Sequence, residues 1–215
     1  MIDSYLAEWF ETKVVAHDAV SAAERVDDRV VRIFRKRYDP ITVVPVTSPF
    51  LMREDVESVL AQSAPTLIVL VNADGHYAWD ARMVAEDAGS SLQTFRELFT
   101  YLDDPDPRGG IDKRVSFVLD RLPQHVKVST VEMQCEATMW IHRIGSLRSL
   151  QLAVEYHYEF TEEALVRALH RHSDVDVIYN ANPNGKVTAE AHTHAGHAGV
   201  EVLGFGDLMG RLHRD

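Results

Sequence analysis

The sequence predicts an α/β protein of two related units, each a mixed, largely parallel sheet covered by helices, behind an N-terminal helical segment. Three observations carry that prediction. Sliding the chain against itself by 110 residues aligns 41–102 with 151–212 without a gap. Roughly fourteen positions are identical, among them Val44/Val154, Phe50/Phe160, Val56/Val166, Ile68/Ile178, Asn72/Asn182, Gly75/Gly185, Ala81/Ala191, Ala85/Ala195, Gly89/Gly199, Phe95/Phe205 and Leu102/Leu212. Chance would give about a third of that number, so two diverged copies of one unit explain the match better than two unrelated units with similar punctuation. Inside both stretches, short apolar runs alternate with segments of helical period, which implies parallel strands joined by helical crossovers. Between them, DDPDPRGG (103–110) concentrates Pro, Gly and Asp as a linker does.

Residues 1–38 read as the N-terminal helical segment, with Trp9, Phe10, Val14, Val15, Val30, Val31, Ile33 and Phe34 available for burial and Asp39-Pro40 ending the run. Residues 39–104 form the first repeat: strand ITVVPVTS, helix REDVESVLAQ, strand TLIVLV, turn ADG, an alanine-bearing helix, strand SLQTF and helix RELFTYL. Residues 105–125 supply the linker and a helix. Residues 126–215 form the second repeat, in the same order, with a stretch the first copy does not match. That stretch, VKVSTVEMQCEATMWIHR, alternates as one long strand. Val131, Met133, Cys135, Ala137, Met139 and Ile141 share one face, and Glu132, Gln134, Glu136, Thr138, Trp140 and His142 the other.

The turn at 144–149 folds this strand back on 150–160. Keeping both apolar sets on one face requires an odd register sum, and a turn centred between Ser146 and Leu147 sets Glu136 opposite His157, with Glu155 and Glu159 adjacent. Carboxylates and a neutral imidazole on one strip suit a divalent cation, Mg, Mn or Zn, with Glu136, Glu155 and His157 as the ligands and catalytic candidates. The plainer reading of the same strip is a solvated sheet face.

Two further features invite a ligand. Gly75 and Gly185 follow their strands at the carboxyl edge of the sheet, where open α/β folds bind ligands. With Asn72 and Asn182 they mark candidate cofactor-binding loops, or else tight turns that need a positive φ. No phosphate-loop or dinucleotide motif accompanies them. In NPNGKVTAEAHTHAGHAG (182–199), Ala191, Ala195 and Ala198 share one helix face and pack on the sheet. His192 and His194 are about 200° apart, so three ligands from this helix converge poorly; His194 and His197 remain neighbours at i, i+3.

Composition narrows the field. A net charge of -11 opposes a polyanionic partner, and the basic run Arg32–Arg37 reads as a solvated face. The lone Cys135 forms no internal disulfide. The N-terminus lacks a signal pattern and no run of eighteen apolar residues occurs, so the expectation is a cytoplasmic protein with no membrane contact.

The order helix, antiparallel hairpin, helix, strand over 113–180 resembles the restriction-endonuclease-like superfamily. The tail is similar to its Mrr-type branch in Thr188, Ala191, Ala195, Gly199, Val200, Val202, Leu208 and Met209. A Rossmann-like arrangement is the other fold that the strand-helix alternation allows. The resemblance implies an acidic residue at the hairpin and a Glu-x-Lys or Asp-x-Lys pair on the next strand, together holding a metal that activates water against a phosphodiester. Here that strand reads Glu155-Tyr156-His157; the lysine is missing, the hairpin turn carries no Asp, and the first copy has Pro45 and Thr47. The expectation is therefore a non-catalytic, pseudo-dimeric binding module whose partner is a protein, a nucleic-acid-processing complex or a second copy of the chain. A metal-dependent nuclease and a nucleotide-sensing domain are the alternatives.

Overall fold

The computed structural model describes residues 4–214 and divides into two compact units, Met1–Ile111 and Asp112–Asp215. In the first, α1 (Ser4–Val14) leads into β1 (Val20–Arg25), β2 (Val31–Arg35), β3 (Ile41–Val46), β4 (Phe50–Leu51), α2 (Arg53–Leu60), β5 (Leu67–Leu70), β6 (His76–Tyr77), α3 (Trp79–Asp87), β7 (Leu92–Thr94) and α4 (Phe95–Tyr101). The second repeats that order with α5 (Lys113–Arg121), β8 (Val128–Met133), β9 (Thr138–Arg143), β10 (Leu150–Glu155), β11 (Glu159–Phe160), α6 (Glu162–Arg171), β12 (Val177–Asn180), β13 (Lys186–Val187), α7 (Ala189–Ala198), β14 (Glu201–Leu203) and α8 (Phe205–Arg211). The sheets run β1-β2-β3-β5-β7 and β8-β9-β10-β12-β14. In each, the first two pairings are antiparallel and the last two parallel. Two repeated α/β units with mixed sheets are thus present. Among the described residues, no helix is long and apolar enough to cross a membrane.

Three boundaries differ from expectation. The segment 1–38 is helical only over α1; its first three residues lie outside those described. Val31 and Ile33 are buried while Arg32 and Phe34 are half-buried, the alternation of a strand. The Asp27 carboxylate accepts from Arg29 and Val30 backbone N–H groups, each at 2.8 Å, and closes the β1–β2 hairpin. Secondly, the long alternating stretch is two strands, because the chain turns at 134–137 and pairs Met133 with Met139 and Val131 with Ile141. Thirdly, that hairpin is not an insertion, since β1–β2 is its counterpart in the first unit. The expected boundaries 39–104, 105–125 and 126–215 therefore give way to the two units above.

A drifting spacing explains the difference. From α1 to β2 the equivalent residues lie 108 apart: His17/His125, Val20/Val128, Ser21/Ser129, Glu24/Glu132, Ile33/Ile141 and Arg35/Arg143 are identical. Local contacts repeat with them. The His17 and His125 Nδ1 atoms accept from the backbone N–H two residues on, and the Ser21 and Ser129 hydroxyls donate to the Phe34 and His142 carbonyls. From β3 to α2 the spacing is 109, and only from β5 onward is it 110, as paired registers require. Val56 is fully buried but Val166 is 49 % exposed, so the counterpart of Val56 is the buried Leu165.

In the first unit, alternate residues of β3 and β5 feed opposite faces. Val43, Leu67 and Val69 pack with Phe10 and Val14 of α1 and Leu98 of α4. Val44, Val46, Ile68 and Leu70 pack with Val56 and Val59 of α2 and Ala81 and Ala85 of α3. In the second unit Ala191 and Ala195 are buried with Ala153, Ile178 and Val202, which brings α7 close to its sheet. One buried arginine closes each unit. Arg35, the last residue of β2, donates to the carbonyls of Asp39 (2.8 Å), Asp104 (2.6 Å) and Pro105 (3.3 Å). Arg143, the last of β9, donates to those of Arg148 (2.6 Å) and Arg214 (2.6 Å), and more weakly to Arg211 and Leu212. The distant carbonyls in each set lie at or just beyond the C-terminal end of the unit's final helix, where intrahelical donors run out.

Candidate functional site

β10 ends at Glu155, which stands in parallel register with Asn180 of β12. The Glu155 side chain is only 7 % exposed, and three cations or cation precursors converge on it. Oε2 accepts from Nε2 of His157 at 3.1 Å; Oε1 accepts from Nε2 of His172 at 3.1 Å and faces Nη1 of Arg171 at 3.4 Å. Burial works to raise the Glu155 carboxyl. The His172 hydrogen bond, the charges of Arg171 and His172 and the His157 hydrogen bond outweigh it and hold the group at about 2. His172 caps the C-terminus of α6, so the cluster ties that helix end to the end of β10. The neighbouring Tyr156 ring carries the Arg114 guanidinium at 5.2 Å, and Arg114 is itself clamped by Asp112.

His157 is fixed from both sides. Its backbone N–H donates to Oδ1 of Asn180 at 2.9 Å, and its carbonyl accepts from Nδ2 of Asn180 at 3.0 Å. Its ring meets Phe160 edge-on at 4.9 Å. Glu136 does not join it. The β9–β10 register pairs Ile141 with Leu150 and Trp140 with Gln151, two residues from the expected register although its sum is odd, as the apolar faces demand. Both strands stop short of Glu136, which lies in the turn between β8 and β9. Among the described residues, no group of three ligating side chains within metal-binding reach of one another contains Glu155 or His157, nor any of His192, His194 and His197. His194 instead pairs through Nδ1 with Glu162 at 2.9 Å. Glu155 and His157 thus come together as expected, but with His172 and Arg171 in place of Glu136.

The first unit has no acid here. With the spacing of 109, Val46, Thr47 and Ser48 stand where the second unit has Glu155, Tyr156 and His157, rather than Pro45 and Thr47, and Val46 is buried. What the two units share is a clamp on the following residue. Asn72 donates to the Ser48 carbonyl (2.8 Å) and accepts from its N–H (3.2 Å), as Asn180 does with His157. Asn182, the sequence counterpart of Asn72, accepts from the Asn184 backbone N–H at 3.0 Å within its own turn. Gly75 and Gly185 press against these clamps. A side chain at Gly75 would run into Asn72 and the Ser48 carbonyl, and one at Gly185 into Asn180 and the His157 carbonyl. Neither has a positive φ, so close approach, not left-handed backbone, demands glycine. Both turns are tight, with the Gly75 and Gly185 N–H groups donating to the Asn72 and Asn182 carbonyls at 3.1 and 2.9 Å, but without the positive φ expected of their glycines.

Sequence reasoning missed His172, Arg171 and Asn180. His172 is 4 % exposed, and a polar residue at the end of an amphipathic helix gives no sign of burial in its spacing. Comparison with family models, curated proteins and solved structures returns no match for this chain.

Proposed function

We propose that the chain is a non-catalytic binding module built from two restriction-endonuclease-like units, with a protein as its partner. The observation that carries this reading is the state of Glu155. Both carboxylate oxygens are taken by His157 and His172, with Arg171 against one of them, and a cation placed there would meet a guanidinium rather than a second carboxylate. The corresponding position of the first unit is the apolar Val46. The order helix, antiparallel strands, helix, strand, on which the resemblance rests, recurs in both units and supports the fold part of the reading. A net charge of -11 favours a protein partner over a bare polyanion.

The test is a calorimetric titration with Mg, Mn and Zn, paired with cleavage assays on single- and double-stranded DNA and RNA. Flat titrations and intact substrates are expected. Metal-dependent cleavage that disappears in Glu155→Gln would replace the binding module with a nuclease.

A further inference from the structure

Two polar atoms of the first unit are enclosed and without a hydrogen-bond partner: the hydroxyl oxygen of Ser91 and the side-chain carbonyl oxygen of Gln93. Both residues are fully buried. Gln93 lies in β7 and Ser91 immediately before it, so the two side chains, separated by one residue on an extended chain, project to the same face. The amide orientation of Gln93 is fixed, because its Nε2 donates to the Pro107 carbonyl at 2.5 Å. Turned over, the amide would set oxygen against oxygen. Its Oε1 is therefore an acceptor facing inward that requires a donor.

The segment 104–111 is pinned by side chains along its whole length. Besides Gln93, Arg35 holds the Asp104 and Pro105 carbonyls, Arg82 the Gly110 carbonyl at 3.0 Å and Tyr101 the Ile111 carbonyl at 2.5 Å. Arg108 reaches back to the Gly89 carbonyl at 3.1 Å. What looks like a linker in the sequence is a strap fastened to its own unit.

We infer that the first unit holds an internal water molecule between Ser91 and Gln93, sealed beneath this strap. The water donates one hydrogen to Gln93 Oε1 and shares a second bond with the Ser91 hydroxyl, so that each enclosed group gains a partner. A charged ligand is disfavoured there. Both groups are neutral, and the buried guanidinium of Arg82 is already matched by Glu86 at 2.7 Å and by the carbonyls of Leu92 and Gly110. The second unit has Glu201 and Leu203 at these places and serves as an internal control.

A crystal structure that resolves ordered water should show a peak at hydrogen-bond distance, about 2.6–3.2 Å, from both side chains, with no counterpart beside Leu203. In solution, magnetic relaxation dispersion should detect one long-lived water more in the wild-type chain than in Gln93→Leu. Tyr101→Phe, which removes the hydrogen bond to the Ile111 carbonyl at one end of the strap, should shorten that residence time several-fold. A direct Ser91–Gln93 hydrogen bond in the crystal, or identical relaxation in wild type and Gln93→Leu, overturns the inference.

Discussion

Replacing Glu155 by Gln keeps the shape of the side chain and removes the charge that three neighbours converge on. The folded carboxyl sits at about 2 against an ordinary value of 4.5. A group depressed on folding contributes stability that is fully present above the unfolded value and is lost as pH falls through the folded one. The window is therefore pH 4.5 down to about 2, and the shift corresponds to about 3 kcal/mol at neutral pH. Little discount for solvent screening is due, because the group is 7 % exposed. Urea denaturation can be followed by the fluorescence of Trp140, with Trp9 and Trp79 replaced by Phe so that only the second unit reports. In that background the Glu155→Gln chain should fall about 3 kcal/mol below its parent at pH 7, with the gap closing toward zero near pH 2. A gap of the same size at both pH values would refute the electrostatic account and leave shape as the cause.

Two further substitutions test how closely the elements approach. Ala195→Leu forces a larger side chain between α7 and its sheet, where Ala195 is buried, and should cost about 1–3 kcal/mol in thermal or urea denaturation; an unchanged midpoint would tell against the close packing. Gly185→Ala should destabilise more than Gly89→Ala, measured the same way. Gly89 has a positive φ but open space around it, whereas a Cβ at Gly185 meets Asn180 and the His157 carbonyl, so the reverse order would show that backbone conformation, not contact, decides.

The strand-helix alternation from β3 onward was legible because a central strand must be apolar and its turns must carry Gly, Asn or Asp. The β1–β2 hairpin was not. VSAAER and VRIFR are short and rich in residues that helices also accept, and their burial pattern depends on the strands beside them. Holding the spacing at 110 hid the matching pairs His17/His125 and Arg35/Arg143, since single-residue differences between the units shift them to 108. Likewise, Glu155 and His157 are neighbours along one segment and could be paired from sequence. His172 reaches Glu155 from 17 residues away, a contact set by where α6 ends and not by any local pattern.

The buried arginines bear on how the chain is made. Arg35 meets the Asp104 carbonyl 69 residues later, and Arg143 meets that of Arg214 71 residues later. Each is synthesised early in its unit, and its distant acceptors are synthesised last. During translation the first unit can close its Arg35 contacts only when the chain past α4 has left the ribosome, while the second unit has yet to be made. Each repeat thereby carries within its own sequence the acceptors its buried arginine needs, and the set is complete only once the last residues of that repeat have been made.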